Sequence, residues 1–144
     1  MSRHRALRAE KIVALRARTV DVLQQQLGQL TRRAALARDA VAQAERTWEL
    51  AATAPTLKGG SSGDLGEAHA YLHGLARRIE ALSAEQRQAQ LDEEASRRKV
   101  CEAKMELRKI EGWRDRMIEA AQADEDALER RATDESAARI ARGP

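Results

Sequence analysis

TAPTLKGGSSGDLG, residues 53–66, decides how this chain folds. It holds one of the two prolines and four of the eight glycines, while Ala, Leu, Arg, Glu and Gln dominate the sequence on either side. Pro55 disfavours helical geometry at Ala54, and GGSSG supplies flexible chain. Asp64-Leu65-Gly66-Glu67 then reads as a capping box, with Asp64 as N-cap and Glu67 reaching back to it. The stretch therefore predicts a hinge over 54–64, between a first helix of about 5–53 and a second of about 65–141.

The sequence on both sides supports two long helices. Upstream, Val20, Leu23, Leu27, Leu30, Ala34, Ala37, Val41, Ala44, Trp48 and Ala51 follow one another at spacings of 3 and 4. That is the a/d seam of a coiled coil. Val13, Ala9 and Ala6 continue it toward the N-terminus, with Arg16 falling on the seam and weakening it. Gly28 lies off the seam, where it costs helix stability. Downstream, Leu65, Ala68, Leu72, Leu75, Ile79 and Leu82 repeat the spacing, and the seam turns polar at Gln86, Glu93 and Ser96. It resumes in phase at Val100, Ala103, Leu107 and Ile110, then reads Arg114, Met117, Ala121, Asp124, Leu128 and Arg131.

A short connection between helices makes them antiparallel neighbours. The expected fold is all-α, an antiparallel two-helix coiled-coil hairpin whose C-terminal helix is the longer, as a single domain over 1–144. Pairing 5–53 with 65–113 leaves the second helix about 28 residues beyond its partner. The polar seam positions 86–96 are expected to face Thr31 and Ala34.

Composition agrees with this architecture. Charged residues make up 34% of the 144 and aromatics 2%, with no Phe, so the large apolar side chains of a compact core are missing. No run approaches the roughly 20 apolar residues that span a bilayer, and the basic N-terminus has no apolar stretch after it. One cysteine, Cys101, excludes an internal disulfide. These features predict a cytoplasmic protein.

Little in the sequence points to catalysis. His69 and His73 share a helical face at a spacing metals use, but no third ligand type lies nearby. LKGGSSG lacks the GK[ST] of a phosphate loop. Cys101 has no His partner for nucleophilic chemistry. A two-helix hairpin has almost no pocket. The reading is therefore no enzyme, no cofactor and no metal.

Charge is more informative. Residues 1–38 carry nine Lys/Arg against two acids, and residues 119–135 carry seven acids against two Arg. At the open end, Arg3, Arg5, Arg8, Lys11, Arg16 and Arg18 are expected beside Arg97, Arg98, Lys99, Lys104, Arg108 and Lys109. This is either an ordinary solvated face or a steering surface for an acidic partner. Nucleic acid is not expected, because neither aromatic interleaving nor a zipper with a basic region is present. Near the hinge, Tyr71 stands off the seam beside Leu72, Leu75 and Ile79, an apolar stripe that can dock a partner.

The chain resembles the FliJ family, including its YscO-like counterparts in non-flagellar type III secretion. The resemblance lies in the length, the two long helices and a polar hinge followed by Tyr71-Leu72-x-x-Leu75-x-x-x-Ile79. It also lies in RKIEGWRDR, 108–116, and in ERRATDESA, 129–137, with Glu129, Asp134 and Glu135. The resemblance implies a part of a type III protein export apparatus, at the cytoplasmic face of the inner membrane. It would resemble the central stalk of rotary ATPases, bound in the ring of a hexameric export ATPase. An export gate membrane protein and escort chaperones are the other implied partners. In that light Arg8, Lys11, Arg16, Arg108, Lys109 and Arg114 are expected to meet the ATPase ring, and Tyr71, Leu75 and Ile79 the gate. The competing readings are a generic coiled-coil scaffold or dimerisation module, and a nucleic-acid-binding helical hairpin.

Overall fold

The computed structural model describes residues 2–54 and 62–143. They form two helices, α1 (Ser2–Ala52) and α2 (Ser62–Ala141), with no strand among the described residues. The fold is a helical hairpin with the longer helix second. The hinge positions read as Pro55, Gly59, Gly60 and Ser61 lie outside the described residues.

Local chemistry explains both inner helix ends. α1 closes with the Thr53 amide and hydroxyl both donating to the Glu49 carbonyl, at 3.0 and 2.9 Å. The next amide, Ala54, donates to Ala51 at 3.3 Å, a tighter i→i+3 closure just before Pro55. α2 starts at Ser62, two residues ahead of the Asp64 that the capping box marks, and carries Asp64 in its first turn. A carboxylate there complements the positive end of the helix dipole.

The chain divides into two compact units. One is Leu23–Lys99, and the other joins residues 1–22 to 100–144. In the first, Ala34, Val41 and Ala89 are buried and Leu23, Leu27, Leu30, Ala37, Ala44, Leu72, Leu75, Ile79 and Leu82 are half-buried. The period of 3.6 residues thus turns the 3-4 stripe of each helix toward the other. Ala89 is a seam residue that the polar reading of 86–96 passes over, and it is nearly inaccessible.

Contacts across this unit fix the register. Thr31 Oγ1 donates to Glu93 Oε1 at 3.5 Å, and Arg33 Nη1 lies 3.7 Å from Asp92 Oδ2. Thr31, Ala34 and Arg38 line one shallow groove of about 420 Å3 with Gln86, Gln90 and Glu93. Steps forward on α1 therefore match steps backward on α2, which is antiparallel pairing. The polar layer meets Thr31 and Ala34, and Ser96 is buried in it.

In the second unit Ala9, Val20 and Val100 are buried, and Ala6, Val13, Ala17, Ala103, Leu107, Ile110, Met117 and Ala121 are half-buried. Two expectations are corrected here. Arg16 is exposed, and Ala17 takes the inward position. The long cation stays in water, and a methyl group fills the seam. The overhang is also shorter than expected. Burial on α2 runs on to Ala121, and every described residue from Gln122 is exposed. The exposed tail is thus 122–141, about 20 residues and about 30 Å long. The earlier figure assumed helix ends level across the hinge. The polar pairs instead seat α2 about six residues further along.

Candidate functional site

The basic end is built within the unit of residues 1–22 and 100–144. Arg8, Lys11, Arg16, Arg108 and Lys109 are all exposed. At 100° per residue, Arg5, Arg8 and Arg16 fall on one flank of the α1 seam. Lys109 and Arg116 fall on the same-handed flank of α2, and antiparallel packing turns like flanks to one side of a pair. Burial begins at Ala6 on α1 and stops at Ala121 on α2, which puts Arg8 within about one helical turn of Arg116 and Arg16 within one turn of Lys109. These four cations share one face.

Other candidates sit differently. Arg108 falls on the opposite flank, and Lys11 points away from α2 by the same period. Lys109 Nζ lies 3.4 Å from Glu106 Oε1, a partnership that solvent screening makes weak. Arg114 is half-buried on the seam, and its guanidinium contacts the Asp115 carboxylate at 3.1 Å. Arg116, absent from the candidates drawn from sequence, belongs with Arg8. Its heptad position, the same as that of Lys109, is the signal that finds it.

Close to the connection, Tyr71 is exposed, with its ring outside the seam. Leu75 and Ile79 are half-buried and turned toward α1, so a partner at this end meets Tyr71 first and only the edges of the other two. No group of three or more His, Cys, Asp or Glu that could hold a metal occurs among the described residues. His69 and His73 are both exposed. Cys101 is exposed, one residue past buried Val100. The groove beside Thr31 is polar and shallow, the geometry of a thinly packed seam and not of an enclosing substrate site.

A helical hairpin that keeps its charge outside is a coiled coil that presents its chemistry on its surfaces. Residues 5–144 match the family described as Flagellar FliJ protein, and the chain belongs to that family. No curated protein and no solved structure matches it significantly. Membership in this family implies a component of the flagellar export apparatus. No helix among the described residues is long and apolar enough to cross a membrane.

Proposed function

We propose that the chain is a central-stalk-like component of the export apparatus. It binds a hexameric export ATPase, promotes the assembly or activity of that ring, and links it to the export gate membrane protein. Escort chaperones are further partners in this reading, and its place is cytoplasmic, at the inner-membrane face of the apparatus. The observation that carries the proposal is the shared basic face of Arg8, Arg16, Lys109 and Arg116, just before α2 runs on alone. A cluster of one sign steers an acidic partner and raises its association rate. Lys11, Arg108 and Arg114 broaden that cationic end around the pair.

The test replaces Arg8, Arg16, Arg108 and Lys109 by Glu. All four are exposed, so helicity is expected to stay unchanged while stimulation of the export ATPase is lost. Stimulation equal to wild type removes the ring assignment. For the other end, Tyr71→Ala leaves the seam intact, because the side chain lies outside it. Binding to the gate protein is expected to weaken about tenfold or more, the loss of an aromatic anchor. Unchanged gate affinity moves that contact elsewhere, with Leu75 and Ile79 remaining as packing residues.

A further inference from the structure

Within the unit of residues 23–99, both helices lose their large seam side chains over stretches that face each other, 31–40 on α1 and 86–96 on α2. α1 turns Ala34 and Ala37 inward there, and α2 turns Gln86, Ala89, Glu93 and Ser96. The large apolar residues of the two stretches, Leu36 and Leu91, are instead 69% and 57% exposed. Toward the connection the seam is different: Val41 is buried, and Leu72, Leu75, Ile79 and Leu82 are half-buried. Polar contacts do not make up the deficit. The Thr31–Glu93 hydrogen bond, at 3.5 Å, is at the outer limit of such a contact. The Arg33–Asp92 pair stands 3.7 Å apart with side chains 63% and 36% exposed, so solvent screens it. The groove of about 420 Å3 beside Thr31 and Ala34 is room that a packed seam would fill with atoms in contact.

We propose that residues 31–40 and 86–96 form a joint, where the seam opens locally while the apolar seam nearer the connection stays closed. Helices of a coiled coil are held chiefly by the apolar side chains they bury against each other, and an unpaired helical segment of about ten residues is marginal in water. Opening therefore concentrates where those side chains are fewest, and the backbone there loses protection. The weak polar pairs suit this role. They mark the closed alignment and let it re-form, yet they oppose separation little. A joint of this kind lets the helix pair flex at a fixed place without unzipping from an end. The inference uses the unit of residues 23–99 alone and stands apart from the export reading.

The experiment is hydrogen exchange of the full chain, read by mass spectrometry. A hairpin that frays only from its ends protects its middle best. The joint inverts that order. Amides of 31–38 and 86–96 should exchange about tenfold faster than those of 41–48 and 75–82, which lie nearer the connection. Gln86→Leu puts an apolar side chain into the groove and keeps the Thr31–Glu93 and Arg33–Asp92 pairs, so it should reduce that difference. Thiol labelling in a Cys101→Ser background is the second measurement. Ser96 and Val41 are almost equally buried, at 6% and 8% exposure. A cysteine at 96 should nonetheless react about tenfold faster than one at 41, each rate taken relative to the urea-unfolded chain. The proposal is overturned if the amides of the two stretches exchange as slowly as those nearer the connection. Equal reactivity at 96 and 41 overturns it too, as does an exchange difference that Gln86→Leu leaves in place.

Discussion

Gly28 is a helical residue with unused room. It lies in the interior of α1, and a Cβ built on it meets nothing within 4 Å. Its backbone is ordinary helix, without the positive φ that only glycine takes easily. Glycine here pays a conformational cost in the unfolded chain with no compensating use in the folded one. Gly28→Ala is therefore expected to stabilise the fold by about 1 kcal/mol, read as a higher denaturation midpoint at unchanged slope. A neutral or destabilising result would mean the close environment of α1 differs from this description. Residue-scale reading of the sequence succeeded where spacing alone decides, as at Val20, Val41 and Val100. It failed at Arg16. There two adjacent positions fit the spacing almost equally, and the cost of burying a guanidinium made Ala17 the inward one.

For the helices as elements, phase was legible and register was not. A 3-4 stripe states which side of each helix is inward. It says little about how far one helix slides along the other, because a seam of Ala, Leu and Val resembles itself one heptad away. The choice is made by the few positions that differ from the rest. Thr31 and Arg33 meet Glu93 and Asp92 only in the observed alignment. Glu93 also holds Arg97 at 2.7 Å, with its own side chain mostly withdrawn from water. Such a layer gives up stability for a single pairing. Glu93→Leu is expected to raise stability by about 1 kcal/mol, since Arg97 is exposed and its release costs little. The same variant should lose uniqueness of alignment. In a Cys101→Ser background, cysteines introduced at positions 34 and 90, which line one groove, should cross-link efficiently while Glu93 is present, and cross-linking at a neighbouring offset should appear once position 93 is Leu. A drop in stability would show that the Glu93 contacts outweigh their desolvation.

At the scale of the whole molecule, surface dominates. The accessible area is 11340 Å2, against about 7,400 Å2 for a compact protein of this mass. Most side chains therefore answer to water or to partners and not to a core. This is why the fold was readable and the candidate site much less so. Inward residues must obey a period, whereas outward residues such as Arg8, Arg116 and Tyr71 obey none. Their sign and exposure are visible in the sequence and structure, but the molecule they meet is not written in the spacing. The family match supplies the setting, and the shared face of Arg8, Arg16, Lys109 and Arg116 supplies the place to look.

Cys101 gives this chain an experimental convenience. It is the only thiol, it is exposed, and the residue before it is locked into the seam. A dye or nitroxide coupled there sits on a rigid backbone at one known site in the native sequence. The rotation and surroundings of the labelled helix can then be followed inside a reconstituted assembly without altering any other atom.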